Sequence, residues 1–130
     1  MTTTHRKPLP ALVFPSTQPT ITVADDKDYG GAHHYEIMNC KGFNNGKTEY
    51  VDAGGQAIQF VQKNEDGTIV PGLQSEQLVL VLIDRHEKLN ARFPSPQNEK
   101  MLEGLKIFLA ACKERVQDRM DRGVMGNLKK

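Results

Sequence analysis

Residues 75–123, SEQLVLVLIDRHEKLNARFPSPQNEKMLEGLKIFLAACKERVQDRMDRG, contain the strongest structural signals in the chain. Ser75 followed by Glu76 is typical of a helix start, because serine caps free backbone amides and an acid in the first turn interacts favourably with the helix dipole. The apolar run at residues 78–83 could by itself form a buried strand. Because helical composition continues without a turn residue as far as Asn90, we predict one helix over residues 75–91.

A second helix follows a proline-containing turn. Ser95 as N-cap with Pro96 at the first helical position is a well-formed start. The helix is predicted to end near Arg122, where Gly123 suits a left-handed cap. Apolar residues at spacings of three and four predict its core stripe: Met101, Leu105, Phe108, Cys112 and Val116. Two helices joined by so short a turn predict an antiparallel helical hairpin.

Short β-branched or aromatic runs between turn residues fill the N-terminal half, residues 1–73. They predict strands at residues 20–23, 33–40, 48–51 and 57–62. The pair Asn45-Gly46 predicts a hairpin turn between the second and third of these strands, because both residues tolerate positive φ. Further turns are predicted at residues 24–26, 66–67 and 71–72.

Together these elements predict an α+β fold, in which a small N-terminal antiparallel β-sheet is followed by a C-terminal antiparallel helical hairpin. A length of 130 residues fits a single domain, with residues 1–73 mostly β and residues 74–126 forming the hairpin. Only 38% of the residues are hydrophobic, and the first helix has a broad apolar surface. We therefore expect a homo-oligomer held mainly through the hairpin.

Charge and cysteine content restrict the class of protein. The net charge of +1 provides no overall field for nucleic acid, so any basic site must be local. Two cysteines make no disulfide framework and are expected to be thiols in a reducing compartment. No apolar stretch suits a signal peptide or the roughly 20 residues of a membrane span. We expect a soluble protein of the cytoplasm.

Three arginines of the second helix form the sharpest local feature. Arg115, Arg119 and Arg122 stand at i, i+4 and i+7 and therefore share one helix face. Guanidinium groups in this arrangement suit phosphate oxygens. Acidic residues are interleaved with them at positions 114, 118 and 121, so intrahelical ion pairs remain the alternative interpretation.

Three other residues near the turn have two interpretations each. Asn98 could cap the second helix, or its amide could recognise a base or ribose edge. Leu89 and Phe93 could be core residues, or they could cover the face of a base. Spacing alone does not choose between these roles.

The sequence contains no positive argument for catalysis. His33 and His34 would point to opposite faces of a strand, so they are poorly placed to bind one metal ion together. No nucleophile motif, paired carboxylates or phosphate-binding glycine loop is present. We therefore expect a binding protein that is not an enzyme and that has no metal and no cofactor.

The hairpin resembles a known family. The segments that carry the resemblance are IQF at residues 58–60, GLQSEQL at 72–78, IDR at 83–85 and ERVQDRMDRGVMG at 114–126. They are similar, in order and spacing, to the phage Thoeris anti-defence proteins, which share a hairpin domain with anti-CBASS proteins. The last segment matches the ending Arg-x-x-x-Arg-x-x-Arg-Gly-Val-x-Gly of that family. The resemblance covers about residues 57–126.

The resemblance implies a nucleotide sponge that blocks Thoeris or CBASS antiphage defence. Such proteins bind cyclic ADP-ribose isomers, and some bind cyclic di- or trinucleotides, without cleaving them. They are dimers or hexamers with pockets at subunit interfaces. Asn98 and Arg115 match polar pocket residues of the family, and Leu89 stands where relatives have an aromatic residue. Arg92-Phe93-Pro94 replaces the Gly-Pro-Phe that commonly follows that aromatic.

These observations lead to the hypothesis of a phage protein that captures cyclic nucleotide signals between the hairpin and the sheet. The expected ligand-binding residues are Leu89, Asn98, Arg115, Arg119 and Arg122. Nucleic acid is not an expected partner, although a nucleic-acid-binding hairpin that uses the basic C-terminal end is one alternative. The others are a small nucleotide hydrolase that uses His33 or His34, and a structural module without a small ligand.

Overall fold

The fold is that of a computed structural model, which describes residues 7–9, 20–23 and 32–123, without the side chains of residues 7, 52 and 53. The chain splits into two compact units, Met1–Leu73 and Gln74–Lys130. The first contains the strands and the second contains two helices. The predicted α+β fold is confirmed. The expected turn at residues 24–26 and the hairpin positions 124–126 lie outside the described residues.

The larger sheet has four antiparallel strands in the order β1-β2-β3-β4. The strands are β1 (Lys7–Pro8), β2 (Ile21–Val23), β3 (His34–Asn44) and β4 (Lys47–Gln59). In the described part of the chain, β2 pairs with β3 only opposite Tyr35, Glu36 and Ile37. Among the described residues, the distal parts of β3 and β4 pair only with each other; we call this part the ribbon, and Phe43 is exposed near its tip.

The turn of this ribbon has the geometry predicted for Asn45-Gly46. The φ angles of these residues are 52° and 77°, as a two-residue turn requires if it is to match the twist of antiparallel strands. The pairing extends from Asn44↔Lys47 to His34↔Gln59, with irregular register on either side of residues 39 and 40. The predicted hairpin is confirmed, and both of its strands are longer than expected.

The strand predicted at residues 57–62 is wrong as a separate element. Residues 57–59 continue β4, and Phe60 makes an isolated parallel bridge to Leu73. A small second sheet follows, in which β5 (Gln62–Lys63) pairs with β6 (Ile69–Val70) around a turn at Gly67. Hydrogen bonds from Thr68 lower the pKa of Asp66 in that turn. The sequence did not reveal the break between β4 and β5, because no turn residue lies between Gln59 and Gln62.

Gly72 lies against the backbone of the preceding strand end. The structure has no turn at the predicted position 71–72. Instead, Leu73 N donates to Gln59 O at 2.8 Å, and Val61 N donates to Leu73 O at 2.9 Å. A Cβ on Gly72 would stand 2.6 Å from Gln59 O and 2.5 Å from the carbonyl carbon of Phe60.

We therefore expect Gly72→Ala to destabilise the protein by about 1–3 kcal/mol, the usual cost of forcing a methyl group into a closely packed place. Urea unfolding followed by circular dichroism measures this change. The exposed Glu65→Ala, in the same segment, is the control and should leave the midpoint unchanged. An unchanged midpoint for Gly72→Ala would show that the bridge between Phe60 and Leu73 yields without cost.

The described part of the second unit contains two helices, α1 (Ser75–Arg92) and α2 (Pro96–Asp121). The N-cap of α1 is Gln74 rather than the predicted Ser75, and Gln77 Oε1 accepts from Gln74 N at 2.8 Å. The N-cap therefore lies one residue earlier than predicted, and the side chain of Gln77 binds the backbone amide of the N-cap residue. The predicted start of α2 is confirmed, because Ser95 Oγ accepts from Asn98 N at 3.0 Å. Gly123, with φ of 70°, has the left-handed conformation expected after the helix.

The helices pack along a seam of residues spaced by three and four. The seam residues, buried or half-buried, are Val79, Ile83, His86 and Asn90 of α1 and Leu102, Leu105, Leu109, Cys112 and Val116 of α2. The predicted core stripe is correct at Leu105, Cys112 and Val116. It is wrong at Met101 and Phe108, which are exposed. Two neighbouring stripes of α2 are both apolar, and their spacing does not reveal which one faces α1.

A candidate ligand-binding face on the helical hairpin

An ion pair between the helices defines the two sides of the hairpin. Lys106 Nζ lies 3.7 Å from Glu87 Oε1. Each of these residues directly follows a seam residue, His86 in α1 and Leu105 in α2. In antiparallel packing, residues in equivalent positions beside the seam lie on the same side. Residues that directly precede seam residues must therefore share the opposite side of the hairpin.

That opposite side contains arginines and large apolar residues. The exposed arginines and large apolar residues that directly precede seam residues, or precede the positions that continue the seam spacing, are Leu82, Arg85, Leu89 and Arg92 of α1, Met101, Phe108 and Arg115 of α2, and Arg122 at the C-cap of α2. Leu78 also precedes a seam residue, but it is half-buried and is left out of this set. We call these eight residues the arginine face. All four apolar members are more than a third exposed. The face combines positive charge with an unburied apolar centre.

Charge is segregated between the two sides. The only acid that directly precedes a seam position is Asp118, whereas the side of the Lys106–Glu87 pair has four acids: Asp84, Glu87, Glu99 and Glu103. The fifth arginine of the described helices, Arg119, is half-buried and continues the seam. A net charge near zero therefore conceals a locally basic surface, which is what an anionic ligand requires.

The three arginines predicted from spacing have different surroundings. Arg122 is held by Asp118, whose Oδ2 lies 2.9 Å from Nη2 and accepts from Nε at 3.0 Å. The ion-pair interpretation therefore applies to Arg122. Arg115 is exposed, and no described residue pairs with its guanidinium. Of the three, Arg115 is the one best placed to meet an outside anion.

Asn98 has the structural role that the sequence left open. Its Nδ2 donates to Phe93 O at 2.9 Å, so the side chain closes the turn between the helices. Its Oδ1 accepts no hydrogen bond from the described residues. One amide can thus fix the turn and still offer an acceptor to a ligand. Leu89, which is 37% exposed, lies at the same end of the hairpin and accepts Phe93 N through its carbonyl.

The predicted site residues form two groups at opposite ends of the hairpin. Leu89 and Asn98 lie at the turn, whereas Arg115, Arg119 and Arg122 lie at the open end. Arg115 follows Asn98 by 17 residues, which corresponds to about 26 Å along an α-helix. A small cyclic nucleotide does not bridge that distance. The two groups therefore cannot meet on one such ligand within one chain.

Sequence reasoning missed Arg85 and Arg92. Their separation of seven residues places both on one face of α1, and this signal was available in the sequence. It became informative only when the seam showed that this face continues onto α2 beside Met101 and Phe108.

Other possible sites are less developed. An open concavity of about 480 Å³ lies at the ribbon tip, and none of its lining residues was predicted to bind a ligand. They are Asn44, Asn45, Lys47, Thr48, Glu49 and Tyr50. Within residues 7–9, 20–23 and 32–123, no three His, Cys, Asp or Glu side chains gather as metal ligands would. His34 contacts Gln59 Oε1 through Nδ1 at 3.1 Å and lies 3.6 Å from Glu36. Neither α1 nor α2 has the length and apolarity needed to cross a membrane.

Comparison with known proteins adds no relative to this picture. No family model matches the sequence, and the search of curated proteins finds no significant match. The functional argument therefore depends on the hairpin itself.

Proposed function

We propose that this protein is a phage immune-evasion protein that binds and sequesters cyclic nucleotide signals, such as cyclic ADP-ribose isomers or cyclic di- or trinucleotides, without cleaving them. In this role it would block Thoeris or CBASS antiphage defence from the host cytoplasm. The observation that carries the proposal is the arginine face, where guanidinium groups flank exposed apolar side chains on one side of the helical hairpin.

The chemistry of the face fits that class of ligand. A cyclic nucleotide presents phosphates, ribose hydroxyls and flat bases. Guanidinium groups bind phosphate oxygens with paired hydrogen bonds, and an amide recognises a hydroxyl or a base edge. Arg115 and the free acceptor of Asn98 can supply these two functions, but only from α2 helices of two different copies, because the two residues are too far apart within one chain.

A second copy of the chain would complete the site. In this dimer, a two-fold axis would lie in the plane of the face, cross its apolar centre near Met101 and Phe108, and run perpendicular to the helices, so that the partner hairpin points in the opposite direction. The turn end of one copy would then lie beside the open end of the other. Asn98 of one copy and Arg115 of its partner would converge on one ligand, which gives two equivalent sites in a dimer.

Binding without turnover is expected. No three His, Cys, Asp or Glu side chains gather as metal ligands among the described residues, and the arginine face consists of Arg, Leu, Met and Phe side chains, which include no nucleophile paired with a base. We expect a cyclic nucleotide that binds the protein to be recovered intact after heat denaturation. Mass spectrometry of the supernatant measures this.

The control for spontaneous breakdown is the same nucleotide incubated in buffer with heat-denatured protein. A linearised or hydrolysed product that accumulates in proportion to protein concentration would replace the sponge with the hydrolase alternative.

Nucleic-acid binding is the second candidate, because the segregation of arginines onto one side produces a basic face that the interleaved sequence concealed. The exposed apolar residues between the arginines favour a surface that is covered by another protein copy over a surface that binds the phosphate backbone of a nucleic acid. Mixed duplex DNA and RNA, titrated at two salt concentrations, separate the candidates. Affinity that falls steeply with salt would favour nucleic acid.

A further inference from the structure

The turn between the helices exposes an aromatic ring supported by a guanidinium group. Phe93 is 63% exposed, and the Arg92 guanidinium carbon lies 5.4 Å from the ring centroid. A guanidinium over the ring makes a favourable cation–π contact and holds the ring in place. The contact covers part of Phe93 and leaves most of the side chain open to solvent.

Hydrogen bonds from the backbone and from side chains fix the backbone around this ring. Phe93 N donates to Leu89 O at 2.8 Å, and Phe93 O accepts from Asn98 Nδ2 at 2.9 Å. Asn90 strengthens the same turn, because its Oδ1 accepts from Ser95 N at 3.3 Å and its Nδ2 donates to a carboxylate oxygen of Glu99 at 2.6 Å. A ring held on so constrained a turn loses little conformational entropy when a ligand stacks on it.

From this arrangement we propose that Phe93, backed by Arg92, is the platform on which the base of the nucleotide stacks. The inference deepens the proposed function and rests on it. The ring supplies a face for the base, and Arg92 supplies positive charge for a neighbouring phosphate. Asn98 binds Phe93 O through its side-chain nitrogen Nδ2. Its side-chain oxygen Oδ1 would accept a hydrogen bond from an exocyclic amino group of the base, such as that of adenine.

Tryptophan fluorescence provides a direct test, since the chain contains no tryptophan. In Phe93→Trp, the single indole should be quenched saturably by cyclic di-AMP or cyclic ADP-ribose and should not respond to inorganic pyrophosphate, which has no base. Phe43→Trp is the matched control, because Phe43 is a similarly exposed aromatic residue, 68% exposed at the ribbon tip. Its fluorescence should stay constant with every probe.

The affinity of the same ligands completes the test. Phe93→Ala should weaken calorimetric binding of the base-bearing probes by roughly 5- to 150-fold, the usual effect of losing one stacked base. If wild-type protein binds these probes while Phe93→Ala binds them equally well and Phe93→Trp shows no quenching, the platform is wrong and the proposed function stands. If wild-type protein binds no cyclic nucleotide of the panel, both proposals are wrong.

Discussion

Replacing Arg115 with alanine is expected to weaken cyclic nucleotide binding by roughly 30- to 1000-fold, the cost of losing a charge-assisted hydrogen bond in a partly dry site. Folding should change by less than about 1 kcal/mol, because the side chain is exposed and no described residue pairs with it. Calorimetric titration against a panel of cyclic nucleotides, together with a melting curve, measures both quantities.

Lys113→Ala is the matched control for Arg115. Lys113 is an exposed cation two residues away that directly follows the seam residue Cys112, so it lies on the opposite side of the hairpin. Its removal changes net charge by the same amount and should leave affinity within about twofold. Equal affinities for Arg115→Ala and wild-type protein would remove the open end of the hairpin from the binding site.

The second large effect is expected at the centre of the arginine face. We expect light scattering of the wild-type protein to give a multiple of 14.5 kDa. Phe108→Asp should reduce the mass to that of one chain, because a carboxylate would be buried in the apolar interface of two hairpins. Phe108 is 48% exposed in the single chain, so this substitution removes little packing within the monomer.

Ile107→Asp controls for the added charge. Ile107 is 62% exposed and adjacent in sequence, but it points away from the seam on the outer side of α2. That variant should keep the wild-type mass. Because each proposed site takes residues from two copies, Phe108→Asp should also lose nucleotide binding. A wild-type mass near 14.5 kDa at micromolar concentration would contradict the oligomer and the composite site together.

Local sequence signals were sufficient where one residue type satisfies a strict backbone requirement. Ser95-Pro96 at the start of α2, Gly123 after its end and Asn45-Gly46 in the ribbon turn were all predicted correctly. Each of these requirements depends on a few neighbouring residues: a free amide to cap, or a φ angle that only some side chains tolerate.

Two predicted element boundaries were wrong, the N-cap of α1 and the end of the strand at residues 57–62, because hydrogen bonds to other residues determine where these elements begin or end. Gln74 caps α1 although Ser75 is the better intrinsic cap, because the Gln77 side chain reaches back to the Gln74 backbone. At Phe60, the strand ends in a bridge to Leu73, a partner that lies far along the sequence. Such choices depend on contacts between distant residues, and a local pattern does not contain them.

For the candidate site, helical spacing in the sequence is enough to place Arg115, Arg119 and Arg122 on one side of a helix. The groups that each arginine contacts depend on how the two helices pack. The seam of α1 and α2 half-buries Arg119, Asp118 holds Arg122, and Arg115 is left exposed. The physical reason is that two apolar stripes of α2 were equally able to face α1. Packing selected the stripe with Leu102 and left Phe108 outside, beside the arginines.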